Sequence, residues 1–211
     1  MQDLARRTFD IAFSICMLIL CLPLMGLIAV LVKVTSKGPI LHKGLRAGLG
    51  GQLFTCWKFR TMHCDAKEKL GDLLSHYPDL RREWQTYNKL RKDPRITGVG
   101  KFLRFFSLDE LPQFWNVLLG DLSVVGPRPV EIYNPSNFRK ELEERLEKGA
   151  DLILSVKPGI TGLWQTSGRN LLPAWRRLEL EEEYVKTRSF LLDLKIICKT
   201  VYIVIFPKGA Y

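Results

Sequence analysis

The sequence predicts an α+β fold that is mainly helical, with an N-terminal re-entrant membrane helix, interfacial amphipathic helices and a small β-hairpin or sheet. Residues 11–32 form a run of 22 residues without a charge. A glycine-punctuated segment rich in strand formers follows at 39–62, and most later segments are polar with apolar residues at helical spacing. We therefore divide the chain into a membrane-embedded helix at 1–35 and a cytoplasmic-face domain at 36–211, which continues from the helix as one unit.

The composition excludes several classes of protein. Of the 211 residues, 26% are charged and 46% are hydrophobic, so the chain is neither disordered nor a polytopic membrane protein. Its net charge of +10 indicates a polyanionic partner, which can be nucleic acid, an anionic lipid surface or a phosphorylated substrate. The five cysteines contain no CxxC pair and indicate reduced thiols rather than disulfides or a zinc site.

The uncharged run is long enough to cross a membrane, because its 22 residues reach about 33 Å as a helix. A signal peptide is the weakest interpretation, since no convincing cleavage site follows. Pro23 interrupts the run at its middle, where it removes a backbone hydrogen bond. Lys and Arg flank both ends, and the positive-inside rule draws both ends towards the cytoplasm. These two features favour a re-entrant helix pair; a spanning helix kinked at the proline stays open as the alternative.

The domain after the membrane segment begins with the β-hairpin. Its second strand is expected at 52–62, where alternation places Phe54, Cys56, Lys58 and Arg60 on one face. Two cations then point the same way from a stiff support.

Helices are expected through most of the remaining chain. A helix from about 99 to 106 combines an apolar face with Lys101 and Arg104, which suits the membrane interface and equally suits an ordinary core-facing helix. Pro112 suits the first turn of another helix and Gly120 its end, and we favour this start over a capping box of Ser107 and Glu110. The largely apolar helix at 189–206 is interrupted by charges, so we expect it to dock beside the first helix or to lie in the interface. The other expected helices are 64–92, divided by Pro78, then 134–148 and 174–187.

Asp109 and Glu110 are adjacent carboxylates in a chain with a large excess of cations. The pair alone is weak evidence, because the helix dipole commonly stabilises acids at a helix start. However, Arg104 lies nearby, and Arg128 stands in a GPRP loop whose prolines fix the backbone of a guanidinium suited to phosphate. A carboxylate kept ionised by cations can attack phosphorus, and a second one can bind Mg²⁺ or move a proton. These residues predict phosphoryl transfer at a membrane surface.

Several ordered blocks of the sequence resemble the bacterial sugar transferases, the monotopic polyprenyl-phosphate phosphoglycosyl transferases. The blocks are WKFRTM, DPRITGVGKFLR, SLDELPQFWNVLLGDLSVVGPRP, KPGITGLWQTSGR and the C-terminal GAY. The resemblance implies transfer of a sugar-1-phosphate from a nucleotide sugar, usually UDP-linked, to undecaprenyl phosphate with release of UMP. In that family this reaction is the first membrane step of O-antigen, capsule or exopolysaccharide synthesis.

The resemblance also implies roles for individual residues. Asp109 corresponds to the nucleophile that accepts the phospho-sugar in a two-step reaction. Glu110 corresponds to the residue that assists with Mg²⁺ or with the lipid phosphate, and both acids are expected metal ligands. A direct displacement, with the acid pair serving only as metal ligands, stays open. Phosphate binding is expected of four cations: Lys58, Arg60, Arg104 and Arg128. The PGITG loop is expected to contribute to the nucleotide or sugar site.

The partners implied are a nucleotide sugar, undecaprenyl phosphate and the lipid of the bacterial inner membrane, with Mg²⁺ as cofactor and the catalytic domain on the cytoplasmic face. Nucleic acid is not an expected partner, because the tryptophans fit packing better than base stacking. A homodimer stays open. The alternative function is a membrane-anchored anion-binding protein without catalysis. That alternative explains the charge and the apolar run but not an acid pair between arginines.

The sequence departs from the family pattern at two positions. Leu22 stands before Pro23 where the family has serine, and Glu181 stands where we expect aspartate. The blocks GRN and GAY favour transfer of a hexose phosphate, galactose or glucose. Met1 begins almost directly at the membrane segment, so we expect either a minimal enzyme or the catalytic fragment of a larger relative.

Overall fold

The structure is a computed structural model, and it describes residues 2–87, 90, 92–146, 149–168, 172 and 174–206. Arg169 and Asn170 of the GRN block, and the whole GAY block, lie outside these residues. The predictions that rest on them therefore stay predictions.

Helices dominate the described part of the chain, and they alternate with short strands. The α-helices are α1 (Gln2–Thr35), α2 (Ala66–His76), α3 (Pro78–Tyr87), α4 (Gly98–Phe105), α5 (Gln113–Leu119), α6 (Phe138–Leu146), α7 (Ala150–Leu154), α8 (Leu163–Thr166), α9 (Ala174–Thr187) and α10 (Phe190–Ile205). The strands are β1 (Leu41–Ala47), β2 (Leu53–Phe59), β3 (Ser123–Val125), β4 (Val130–Glu131) and β5 (Gly159–Thr161). The mainly helical α+β class is confirmed.

The N-terminal helix α1 is one element of 34 residues that continues through Pro23. A proline removes a single backbone donor, and the helix resumes around it instead of ending there. Residues Leu4–Thr35 are long and apolar enough to cross a membrane, and little of this surface is buried against the protein. The expected helix pair is therefore observed as one continuous helix, while its re-entrant path through a membrane stays a prediction.

Both ends of α1 contact the rest of the protein. Near the start, the Arg7 guanidinium donates to two carbonyls at the C-terminal end of α5, and the Asp10 carboxylate accepts from the backbone of β3. Near the end, Ile28 and Val32 are buried against β2 and α4. The helix is thus anchored by polar contacts at one end and by apolar packing at the other.

The start of α10 docks beside the start of α1, as expected. The buried Asp193 carboxylate lies 3.1 Å from the Arg6 guanidinium nitrogen Nε. The Phe9 and Phe190 rings meet edge to face, with centroids 5.4 Å apart. An ion pair buried at this position explains why a charge interrupts an otherwise apolar helix.

Two small sheets support the loops between the helices. In the first sheet, β1 pairs antiparallel with β2 and with the short β4, which gives the order β2-β1-β4. The register places His42 opposite Lys58 and Arg46 opposite Glu131. In the second sheet, β3 pairs in parallel with β5. The expected hairpin is confirmed, and its turn uses Gly50 in the left-handed conformation at φ 62°.

Among the residues that the structure describes, the buried hydrophobic side chains form three clusters. One joins the β1–β4 edge to α6 and α7, a second joins α5 and β3 to α9 and α10, and a third joins the end of α1 to β2 and α4. The segment between α4 and α5 runs from the third cluster to the second, and the GPRP loop runs from the second to the first. Both candidate functional segments therefore connect separately packed parts of the core.

The helices next to the acid pair keep an apolar surface exposed. On α4, Leu103 is buried but Phe102 and Phe105 are exposed, and on α5 Trp115 and Leu119 are exposed. An exposed apolar surface next to a candidate membrane helix agrees with the interfacial position expected for α4.

Candidate active site

The acid pair lies in a tight turn between α4 and α5. Ser107 adopts the left-handed conformation, with φ 57° and ψ 22°, and it is the one described non-glycine residue with a positive φ. A single 3₁₀ turn follows at Leu108–Glu110, and α5 then starts after Pro112 as expected. A left-handed serine is a strained conformation of the kind that proteins retain at functional sites.

Glu110 is held by two of the predicted cations. Its Oε1 atom accepts hydrogen bonds from Lys58 Nζ at 2.6 Å and from Arg128 Nη2 at 3.0 Å. Burial alone would raise the pKa of Glu110, but Arg128 and Lys58 together lower it well below its usual value. Glu110 is therefore an anion that organises the two cations, and its low basicity makes it a poor proton acceptor.

Asp109 has a different environment. Its side chain is only 8% exposed, yet within the described part of the chain its carboxylate accepts no hydrogen bond. Burial and the neighbouring Glu110 anion raise the pKa of Asp109 above its usual value, while Lys58, Arg104 and Arg128 oppose that rise. An unbonded, more basic carboxylate beside cations is suited to nucleophilic attack on a phosphate.

Three of the four predicted cations are brought together around the acids. Lys58 and Arg128 contact Glu110 directly, and Arg104 is close enough to influence the charge of Asp109. The Arg104 guanidinium is fixed by a hydrogen bond from its Nε atom to Thr61 Oγ1 at 2.9 Å. The predicted grouping of acids with Lys58, Arg104 and Arg128 is therefore observed.

Arg60 does not join this group, and the expectation that it shares a face with Lys58 needs correction. The strand β2 ends at Phe59, so the alternation of side chains does not extend to Arg60. Its buried guanidinium donates instead to backbone carbonyls after the end of α1, those of Ser36, Lys37 and Pro39. Carbonyls after a helix end lack partners within the helix and attract a guanidinium.

The backbone of Arg128 is held on both sides by α9. Its N–H donates to Glu181 Oε1 at 3.0 Å, and its carbonyl accepts from Arg177 Nη2 at 3.3 Å. Glu181 and Arg177 are one helical turn apart on α9, and Glu181 is almost fully buried. These two contacts fix the GPRP loop relative to α9, in addition to the restriction that the prolines impose on the loop.

The PGITG block supports the GPRP loop through its backbone. The Gly159 N–H donates to the Pro127 carbonyl at 2.8 Å, and the Gly126 N–H donates to the Thr161 carbonyl at 2.9 Å. A Cβ atom on Gly159 would lie 2.0 Å from the Gly126 nitrogen, and one on Gly162 would lie 2.2 Å from the Gly126 oxygen. Glycine is therefore required where the two loops approach each other, which gives this block a structural role.

Three residues of the site were not assigned a role from the sequence. Trp164 is buried, and its ring centre lies 5.8 Å from the guanidinium carbon of Arg128 and 4.9 Å from that of Arg177. Glu181 was noted only as a departure from the family pattern. Arg177 is the third of these residues. Its available signal was its position four residues before Glu181 on a predicted helix, which indicates an ion pair but does not reveal the tertiary contacts of either side chain.

The acid pair fits the way in which proteins use Mg²⁺ with phosphates. Among the described residues, no three His, Cys, Asp or Glu side chains gather into a metal-binding group. Asp109 and the Oε2 atom of Glu110 nevertheless accept no hydrogen bond from the described residues and are available as ligands. Mg²⁺ commonly binds one or two carboxylates and completes its coordination with water and substrate phosphates.

The fold places a carboxylate pair inside a group of cations, next to a helix long and apolar enough to cross a membrane, and this arrangement is suited to chemistry on phosphates. Residues 1–207 match the bacterial sugar transferase family, and the chain belongs to that family. The resemblance found in the sequence blocks is thereby confirmed.

Two of three similar relatives are named for sugar transfer to undecaprenyl phosphate, and the third is named for exopolysaccharide production. The chain is 45% identical over 207 residues to the undecaprenyl-phosphate galactose phosphotransferase of Salmonella typhimurium, covering 98% of this chain and 41% of that protein. It is 41% identical over 208 residues to the exopolysaccharide production protein ExoY of Sinorhizobium fredii, covering 99% of this chain and 88% of that protein. It is 39% identical over 211 residues to a UDP-glucose:undecaprenyl-phosphate glucose-1-phosphate transferase of Klebsiella pneumoniae, covering 98% and 41%. The chain thus spans less than half of two of these relatives and most of the third.

Proposed function

We propose that the protein transfers a sugar-1-phosphate from a UDP-sugar to undecaprenyl phosphate and releases UMP. The reaction would take place on the cytoplasmic face of the bacterial inner membrane, with α1 embedded in the lipid. The names of the relatives support the acceptor and the transferred group. The observation that carries the proposal is the contrast between the acids: Glu110 is bound by two cations, whereas the neighbouring Asp109 is buried and accepts no hydrogen bond from the described residues.

The geometry suggests a two-step mechanism. In the first step, Arg128, Lys58 and Arg104 bind oxygens of the donor diphosphate and offset their charge. An Asp109 oxygen attacks the phosphorus that carries the sugar, and the bond from this phosphorus to the bridging oxygen breaks. The electron pair leaves with UMP, and the phospho-sugar stays on Asp109 as an acyl phosphate. Bound Mg²⁺, held by Asp109 and Glu110, would supply further charge neutralisation for the phosphates.

In the second step, an oxygen of undecaprenyl phosphate attacks the same phosphorus. The bond to Asp109 breaks, and the carboxylate regains its electron pair. Glu110 retains its charge throughout, because Lys58 and Arg128 stabilise its ionised form. Its role is to position the two cations between the departing and arriving phosphates.

A direct attack of undecaprenyl phosphate on the donor is the competing mechanism, with the acids serving only as metal ligands. The lack of any hydrogen bond to Asp109 in the described residues favours the covalent route. A carboxylate that serves only to bind a metal is usually oriented by hydrogen bonds of its own.

The proposal is tested with the protein in lipid nanodiscs that contain undecaprenyl phosphate and Mg²⁺. UDP-galactose and UDP-glucose are supplied separately, and UMP release and lipid product are measured. We expect turnover with one of these donors and none with Asp109→Asn. Asp72→Asn, the same change at an exposed position on α2, should retain full activity. Turnover of Asp109→Asn at the wild-type rate would refute the assignment of Asp109 as the nucleophile. The lack of lipid product with every nucleotide sugar would refute the proposed transfer.

A further inference from the structure

Two arginines of the site lie against one aromatic ring. The guanidinium carbons of Arg128 and Arg177 are each within 6 Å of the centre of the Trp164 ring. A flat ring provides a surface on which guanidinium groups can stack while their N–H edges remain available for other partners. Like charges are nevertheless unfavourable so close together unless an anion binds between them.

Arg177 has donors that the protein leaves unused. Its Nε atom is buried and has no hydrogen-bond partner among the described residues, since the Glu181 oxygen Oε1 is 3.8 Å away. Within the described part of the chain, the one hydrogen bond of Arg177 is the 3.3 Å contact with the Arg128 carbonyl. A guanidinium has five N–H groups, so most of its donor capacity is available. The side chain is 32% exposed, which leaves its tip accessible to a ligand.

The surroundings of Arg177 disfavour its positive charge. Burial lowers the pKa of Arg177 to about 10, Glu181 opposes this shift, and the neighbouring arginines Arg128, Arg46 and Arg145 add to it. A bound anion would offset both the burial and the repulsion. Phosphate suits this role best, because a guanidinium can donate two parallel hydrogen bonds to it.

We propose that Arg177 and Arg128, stacked on Trp164, form a subsite for the phosphate of the donor that leaves with the nucleoside. The inference rests on the proposed function and adds a residue to it. Arg128 is bonded to Glu110 and therefore contacts the end of the diphosphate that Asp109 attacks. Arg177 is bonded to neither acid of the pair and shares the Trp164 ring with Arg128. It therefore contacts the second phosphate, on which negative charge accumulates as the bridging bond breaks.

Lipid phosphate offers the same chemistry as the nucleotide phosphate, so the test must separate the two sources. Binding of UMP and of uridine is measured by calorimetry on the intact protein in nanodiscs. The ratio of the two dissociation constants isolates the contribution of the phosphate. The KM for undecaprenyl phosphate is measured in parallel.

We expect the preference for UMP over uridine to fall about tenfold in Arg177→Ala, as the loss of one charge-assisted contact implies. Arg177→Lys should retain part of this preference for UMP. The KM for undecaprenyl phosphate should not change in either variant. The matched control is Arg176→Ala, which removes a partly exposed arginine from the same helix, where it pairs with Glu179 at 2.7 Å. This control should behave as the wild type.

An unchanged UMP preference in a folded Arg177→Ala protein overturns the inference and leaves the proposed function intact. A rise in the KM for undecaprenyl phosphate with unchanged UMP binding assigns Arg177 to the acceptor and also overturns it. The lack of any UMP binding by the wild type overturns both the inference and the proposal that the donor is a UDP-sugar. If Arg177→Ala fails to fold, Arg177→Lys carries the test, with a smaller loss of UMP preference as the expected result.

Discussion

The Arg128 guanidinium donates to the Glu110 carboxylate at 3.0 Å, and this contact separates the roles of two adjacent acids. Glu110 uses one oxygen to bind both Arg128 and Lys58. Asp109 has no such partner among the described residues and lies next to the same cations. One acid therefore organises positive charge, and the other is available for chemistry.

Glu110→Gln should impair transfer without removing the nucleophile. The neutral amide no longer holds Lys58 and Arg128 by charge, so we expect turnover to fall about 10²-fold, the cost of misplacing one electrostatic contact. Covalent labelling of Asp109 by the donor should remain detectable but slower. Glu68→Gln, at an exposed site on α2, is the control. Turnover of Glu110→Gln at the control rate would show that the two ion pairs have no catalytic role.

Arg128→Lys should be nearly as damaging as removal of the side chain. Lysine retains the charge but cannot both bond Glu110 and present a planar edge to phosphate. We expect kcat/KM for the donor to fall about 10²-fold, measured by UMP release. Arg139→Lys, at an exposed position on α6, should have no effect. A loss smaller than about threefold would mean that charge alone suffices at this position.

Asn116→Ala should destabilise the fold. The fully buried Asn116 side chain accepts from the Trp57 N–H at 3.0 Å and donates to the Thr55 carbonyl at 2.7 Å, thereby pairing α5 with the edge of β2. Alanine removes the partner of both part-buried backbone groups, at a cost of about 1–3 kcal/mol in the free energy of unfolding. Thermal unfolding in nanodiscs measures the loss. The exposed Asn137→Ala should change little, and equal melting temperatures for the two variants would contradict this account.

Glu181→Gln should change the pH dependence of stability. Burial raises the pKa of Glu181 to about 7 from 4.5, although Arg177 and the Arg128 N–H oppose this shift. The folded state therefore binds the proton more tightly than the unfolded state. The resulting stabilisation is complete below pH 4.5 and is lost as the pH rises through about 7.

Glutamine mimics the protonated acid and removes this dependence. We therefore expect the melting temperature of Glu181→Gln, relative to wild type, to be higher at about pH 8 than at about pH 5. A difference between the two proteins that stays constant with pH would indicate that Glu181 is ionised throughout.

The sequence predicted those features that depend on local chemistry. Pro112 and Gly120 correctly delimited α5, and Glu110 lies with Lys58 and Arg128, two of the cations that the sequence singled out. Arg60 was placed wrongly because alternation is valid only inside a strand, and β2 ends one residue earlier. No local pattern could place α9 against the GPRP loop. The contacts of Arg177, Glu181 and Trp164 with Arg128 arise from tertiary packing between distant segments.

The most direct test of the central claim is the intact mass of the protein after incubation with Mg²⁺ and a UDP-sugar in the absence of lipid acceptor. We predict an increase by one sugar phosphate, located on Asp109, absent in Asp109→Asn and removed when undecaprenyl phosphate is added. If the wild type catalyses lipid-dependent UMP release and no adduct forms with the same donor, transfer is direct and Asp109 is not the nucleophile.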